Sequence, residues 1–349
     1  MGVRVALDAF GGDDCPGPEL DAAVLAAKDG ISVALVGDEG TLRGEIARRL
    51  GGTDGGLDIS FVHAPERIHM EDSPARAVRA KSGASMPVCF DLVKRGEVDA
   101  VVSAGNSGAM LASGLFKSGR LKGVDRPAIV TAFPTRKGQC CMLDMGANAE
   151  CRPLNLVQFA LMGAAYATVR QGRVRPRVGV LSNGSEAGKG TPLTRTTHQV
   201  LESATSEAFE YLGYVEGGDV FAGEVDVVVT DGFTGNVALK FVEGALGLVS
   251  HLLRDSFDAR LVRKFGALLA RPAFAELKDQ LDPESYGGAP LLGVRDVVVI
   301  CHGSSSPTAL ANGMRQASRF HHGHLTEAVE GILDTHGELS RVAREAEQV

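Results

Sequence analysis

Residues 99–110, DAVVSAGNSGAM, decide the fold: a short Val-rich run ends in a loop of Gly105, Asn106, Ser107 and Gly108, and small and apolar residues suited to a helix follow at once. A strand that breaks into a glycine-rich turn and re-enters as a helix is the unit of a parallel α/β sheet. The pattern recurs. VALDAFGGDD (5–14), MLDMGANAEC (142–151), GVLSNGSEAGKG (179–190), VVTDGFTGNVALK (228–240) and VVICHGSSSPTAL (298–310) each carry an apolar run into Gly, Asn, Ser and Asp. Strands are expected near 3–7, 32–36, 59–62, 99–103, 128–132, 140–144, 177–182, 226–230 and 297–301, because near-continuous apolar runs suit parallel strands covered on both faces. Residues 156–169, apolar almost all round, predict a buried helix, and Ser73-Pro74 predicts a helix start. The fold class is α/β, a doubly wound, mostly parallel sheet with helices on both faces. No repeat or linker divides it, so the expectation is a single α/β catalytic domain over 1–349, with one compositional break, a mixed basic and apolar stretch at 245–285.

Composition sets limits on function. The 349 residues carry a net charge of −7, which disfavours nucleic acid as the main partner, since backbone phosphates call for a basic face. Six cysteines without CxxC spacing suit a reducing, cytoplasmic setting, and no contiguous apolar run approaches the roughly 18 residues that span a bilayer. His321, His322 and His324 lack carboxylate or thiolate partners at fixed spacing and read as a solvated helix end, so no metal is expected. Neither GxxxxGK[ST] nor GxGxxG after the first strand is present, which removes the usual signals for a nucleotide cofactor.

Six glycine-rich loops on the C-terminal strand edge nevertheless point to a site for a small anion, because helix N-termini and loop N–H groups converge there. Sharp turns alone would explain the glycines; they do not call for the accompanying Asn106, Ser107, Asn148, Asn183, Asn236 and Ser304. Gly105-Asn106-Ser107-Gly108-Ala109 comes near the GxSxG nucleophile elbow but ends in alanine, leaving Ser107 as a nucleophile, an N-cap or a phosphate donor. His302 follows a buried strand beside Gly303 and Ser304, where it can meet a ligand, move a proton, or simply pack the loop.

In order along the chain, DAFGGDDCPGPE, HAPERIHMEDSPARAVRAKSGASM, VSAGNSGAM, RPAIVTAFPT, LDMGANAECRP, LVQFALMGAAYA, VVTDGFTGNVALK, SYGGAPLLGV and CHGSSS resemble the bacterial acyl-carrier-protein:phosphate acyltransferases. Phe10 stands where that family usually has methionine, Asp14 where it has histidine, and Gly190-Thr191-Pro192 where an Asn-Glu pair is usual. The resemblance implies a dimeric enzyme with a fold similar to phosphotransacetylases and isocitrate- and isopropylmalate-type dehydrogenases. It implies no cofactor, and acyl-carrier protein and inorganic phosphate as partners in making acyl phosphate for phospholipid synthesis. For that reaction, backbone N–H groups of Gly11, Gly12, Gly105, Gly108, Gly303 and Ser304 can hold phosphate, with Asp13, Ser107, Asp144 and Asp231 beside them. Asn106, Asn148, Asn236 and Lys189 are candidate donors to the developing oxyanion, Lys189 foremost, and His302 completes the catalytic set. A thiolate leaves with little protonation, so direct transfer needs no acyl-serine. Asp144 and Asp231 can equally be helix caps.

From 248 to 274, Val249, Leu252, Leu253, Phe257, Leu261, Phe265, Leu268 and Leu269 recur at helical spacing among Arg254, Arg260, Arg263, Lys264 and Arg271, with Asp255 and Asp258 mixed in. The stretch reads as a helix pair packed on the core or on a dimer partner, as a surface touching anionic lipid at the inner face of the cell membrane, or as a docking face for acyl-carrier protein. Competing functions are transfer from a coenzyme A thioester, hydrolysis through Ser107, and non-catalytic metabolite binding.

Overall fold

In the computed structural model, residues 2–51, 56–186, 188–203, 207–258, 261–274 and 287–347 are described. Arg260, Ser285 and Tyr286, and residues 275–284 of the basic stretch, lie outside them. Two sheets are present rather than one. The first has the order β3 (Ile59–His63), β2 (Ser32–Gly37), β1 (Arg4–Asp8), β4 (Ala100–Ser103), β12 (Val297–Ile300), β11 (Ala289–Leu292), β5 (Ala128–Ile129). The second runs β6 (Thr131–Thr135), β7 (Gly138–Leu143), β10 (Val227–Val229), β8 (Arg177–Leu181), β9 (Glu210–Val215). Pairing is parallel except at β11–β12, β11–β5 and β6–β7.

The helices are α1 (Gly17–Lys28), α2 (Glu39–Arg49), α3 (Pro74–Ala80), α4 (Ser85–Lys94), α5 (Ser107–Ser113), α6 (Pro153–Gln171), α7 (Pro192–Ser203), α8 (Gly232–Asp258), α9 (Leu261–Leu269), α10 (Pro307–His322), α11 (Leu325–Thr335) and α12 (Gly337–Ala346). A π-helical turn, Gly114–Ser118, continues α5.

Strand periodicity explains the layering. Val5 and Leu7 of β1 and Val227 and Val229 of β10 face one apolar cluster, while Ala6 and Val228 face the other. Alternate side chains thus bury both faces of both sheets, which is why these runs read as continuously apolar. Helix α6 is buried from Leu154 to Ala167, as expected of its sequence. Pro74 opens α3, although Ser73 makes no capping hydrogen bond.

Three differences from the sequence reading have clear causes. The run expected at 128–132 is two strands, because the chain leaves the first sheet at Ile129 and joins the second at Thr131; a hydrophobic run does not say which sheet it enters. Strand β9, EYLGYV, escaped because it is a half-exposed edge strand, and β11 escaped because it is four residues entered from a glycine pair. Finally, Gly232–Phe257 is long and apolar enough, at a mean hydropathy of 1.2, to cross a bilayer by length and composition. Its apolar residues are interrupted at helical spacing, so no contiguous run announced it.

Candidate active site

Because β1, β4 and β12 are neighbours, the loops that leave them lie side by side, at the point where the chain turns from building one half of the sheet to the other. That crevice is where open α/β sheets bind ligands. Asp8, 1% exposed, accepts hydrogen bonds from the Phe10 N–H (3.3 Å) and from Ser103 Oγ (2.7 Å), and Ser103 Oγ in turn accepts from the Gly105 N–H (2.9 Å). Burial pushes the Asp8 carboxyl up, against the hydrogen bonds and the Arg67 charge that lower it. Gly11 and Gly105 cross so closely that a Cβ on Gly11 would lie 2.8 Å from the Gly105 nitrogen, and one on Gly105 would lie 2.6 Å from the Met86 methyl. These two glycines permit loop crossing, which a turn preference alone would not have required.

Several expected phosphate ligands turn out to be committed elsewhere. The Gly12 N–H donates to Glu19 Oε1 (3.2 Å), and the Asp13 N–H donates to the Gly303 carbonyl (2.8 Å). Asp13 lays its carboxylate over Gly303, where a Cβ would be 2.7 Å from Oδ1, so it latches two loops together and would repel an anion. Asn106, not Ser107, caps α5, its Oδ1 accepting from the Ala109 N–H (3.0 Å). Its Nδ2 donates to the Met70 carbonyl (2.9 Å) and the Asp72 carbonyl (3.3 Å), tying down the segment before α3. Both ends of the Asn106 amide are thus engaged, as cap and as tie.

What remains free faces outward. Ser107 is exposed, has no imidazole or carboxylate partner among the described residues, and opens α5, where the first N–H groups have no intrahelical acceptor. Nδ1 of exposed His302 lies 2.8 Å from Ser304 Oγ and accepts from the Ser304 N–H (3.3 Å). Nδ1 of His302 is thereby engaged, and Nε2 is the ring nitrogen left to meet a ligand.

A second triad of loops leaves β7, β10 and β8, which are neighbours in the other sheet. Asp144, 0% exposed, accepts from the N–H groups of Ile129 (3.0 Å), Gly146 (3.3 Å), Ala147 (3.1 Å) and Asn148 (2.6 Å) and from Asn148 Nδ2 (2.9 Å). Burial raises its carboxyl above the ordinary aspartate range, partly offset by these donors. Asp144 thus shapes the loop and joins it to the first sheet at Ile129. Asn148 spends its other donor on the Pro127 carbonyl (2.7 Å). Asp231 caps α8, accepting from the Thr234 N–H and Oγ1 at 2.8 Å each.

Asn236, by contrast, is exposed on the second turn of α8, its amide packed against Gly146, whose φ of 127° requires glycine. Lys189 is 45% exposed, its stem covering Gly184 and its Nζ 4.0 Å from Glu186 Oε2. One apolar cluster joins the triads, including Met110 of α5 and Met145, with Ala147, Ala238 and Leu239 packed against it. Among the described residues the structure thus leaves Lys189, Asn236, Ser107 and Nε2 of His302 uncommitted, pairs Ser304 with His302, and ties the side chains of Asn106, Asn148, Asp144 and Asp231 into hydrogen bonds of their own loops, with Asp13 laid over Gly303. Sequence reasoning missed Glu19 and Ser103; a lone acid in a first helical turn reads as a dipole partner, and a serine at a strand end as a turn residue.

Solved structures share this architecture. EutD phosphotransacetylase from Staphylococcus aureus superposes with a TM-score of 0.57 at 16% identity, covering 92% of this chain and 94% of its own. A phosphotransacetylase from Streptococcus pyogenes gives 0.60 at 15%, covering 93% and 94%. The fold is therefore of the phosphotransacetylase kind. At the sequence level, residues 3–327 match the family described as fatty acid synthesis protein. The phosphate acyltransferase of Geobacter sulfurreducens is 49% identical over 319 residues, 91% of this chain and 90% of that protein, and that of Geotalea uraniireducens is 50% identical over the same shares. The chain belongs to this family of phosphate acyltransferases.

Proposed function

We propose that this enzyme converts acyl-[acyl-carrier protein] and inorganic phosphate to acyl phosphate and free acyl-carrier protein, for phosphatidic acid synthesis. A phosphate oxygen attacks the thioester carbonyl, the C–S bond breaks, and the electron pair leaves on sulfur as thiolate, which needs little protonation. The observation that carries this reading is family membership over nearly the whole chain, joined to two loop triads that set Ser107, His302, Lys189 and Asn236 at strand ends. Phosphate sits against Ser107 and the His302–Ser304 pair; Lys189 and Asn236 meet the carbonyl oxygen as charge develops on it. Direct transfer is favoured over an acyl-serine because Ser107 has no base beside it among the described residues. Incubating the protein with palmitoyl-acyl-carrier protein, with and without phosphate, tests this. Phosphate-dependent thiol release is expected, and release that ignores phosphate would make the protein a hydrolase.

The two sheets act as one catalytic unit in this reading, supported by a core cluster that draws Val5 and Leu7 from one and Val178, Val180 and Val227 from the other. Helix α8 presents Phe233, Val237, Phe241, Leu248, Val249 and Leu252 to solvent, which favours burial against a second copy of the chain. Beyond it, exposed Val262, Leu268 and Leu269 with Arg263 and Lys264 favour contact with an anionic bilayer surface. Light scattering that gives a monomer, or failure to float with anionic vesicles at low salt, would remove the respective part.

A further inference from the structure

Beneath the first glycine loop lies a carboxylic acid that the reaction as described does not use. Glu19, in the first turn of α1, is 1% exposed. Its Oε1 takes the Gly12 N–H and stands 2.4 Å from where a Cβ on Gly12 would be, while its Oε2 is buried without a hydrogen-bonding partner. Among the described residues, the titratable or charged groups that act on it are Asp8 from β1, Cys15 from its own loop, Arg67 from the segment after β3, and Cys301 at the end of β12. Helix α10 packs along α1, but its Arg315 pairs with Asp29 at the far end of that helix. Arg67 is shared: its Nη1 lies 3.2 Å from Cys15 Sγ, and it faces both Asp8 and Glu19, so one cation serves two carboxyls.

We propose that Glu19 is a positioning residue for phosphate, holding Gly12 and through it the Asp13–Gly303 latch, and weakening phosphate binding when it ionises beneath the loop. The inference rests on the placement of phosphate at the first triad. An ionised carboxylate with one empty oxygen is costly in a buried site, so the neutral form suits this pocket. Burial, with Asp8 adding to it, pushes the Glu19 carboxyl up to about 7, within the range where the enzyme would work. Ionisation then adds a negative charge beneath the Asp13–Gly303 latch, next to the loop that carries His302 and Ser304.

Calorimetric titration with inorganic phosphate, from about pH 6 to about pH 8.5, should separate wild type from Glu19→Gln, which is permanently neutral. The ratio of their dissociation constants cancels the titration of phosphate itself. It should start near one and rise on the order of tenfold towards alkaline pH, with wild type the weaker binder. A ratio that stays flat with pH overturns the proposal. Should Glu19→Gln fail to fold, Gly12→Ala and the Gly12→Ala/Glu19→Ala pair decide instead. Because Gly12 does not need a positive φ, the added methyl meets chiefly Glu19, and removing the carboxyl should restore part of the lost phosphate affinity. Equal loss in both backgrounds would refute the linkage. Since binding is read without turnover, a wild type that binds phosphate but releases no thiol would count against the transferase reading and leave the Glu19 result standing.

Discussion

Replacing Asp144 with alanine is expected to destabilise the fold more than any other single change in the site. Five donors converge on its two oxygens. Gly146 is exposed and Ala147 half-buried, so their N–H groups can turn to water once the carboxylate is gone. Ile129 and Asn148 are buried, and their N–H groups cannot. Each stranded donor costs about 1–3 kcal/mol, giving roughly 2–6 kcal/mol for the pair before the relief of a desolvated carboxylate, so a net loss of about 3 kcal/mol is expected. Asp144→Asn retains one acceptor and should lose about half as much by the same reasoning. The chain has no tryptophan, so far-UV circular dichroism through a urea titration is the suitable probe. An Asp144→Ala protein within about 0.5 kcal/mol of wild type would show that these hydrogen bonds do not hold the second triad together, and the assignment of Asp144 as a support would be withdrawn.

Asn236→Ala and Asn148→Ala should part company: the first is expected to lose on the order of a hundredfold in kcat with unchanged unfolding, the second to lower stability, and similar kcat losses without any stability change would reverse the assignment. Lys189→Ala should reduce kcat/KM for thiol release by a comparable factor, and unchanged turnover would remove it from the site. Ser107→Ala should retain turnover, and a covalent acyl-protein trapped at Ser107 by rapid quench would replace direct transfer with an acyl-enzyme. For stability against pH, Glu19 has a folded pKa of about 7, above its ordinary value of 4.5. Its contribution is therefore complete below about pH 4.5 and lost as pH rises to about 7, on the order of 3 kcal/mol, a decline that Glu19→Gln should lack in urea titrations across that window.

How much of this was legible beforehand differs from residue to residue. The loops were readable because an apolar run followed by Gly, Asn and Ser has few other uses, and helix α6 was readable because residues apolar on every side must be buried. That the loops after β1 and β4 touch was not readable, since Gly11 and Gly105 are 94 positions apart and nothing local in either requires the other. Asn106 and Asn236 look equivalent in sequence, each beside glycine after a strand. Only the structure shows one amide consumed by the Ala109 N–H and the Met70 carbonyl and the other exposed on Gly146. Sequence by itself determined the α/β class, the strand-end location of the chemistry and, through its ordered motifs, the family, because these depend on local periodicity and on residue types held in register along the chain. Tertiary structure decided that six loops divide three and three between two sheets, and which polar groups face outward. Strand order and hydrogen-bond satisfaction are set by contacts between segments far apart in the chain, which no local pattern encodes.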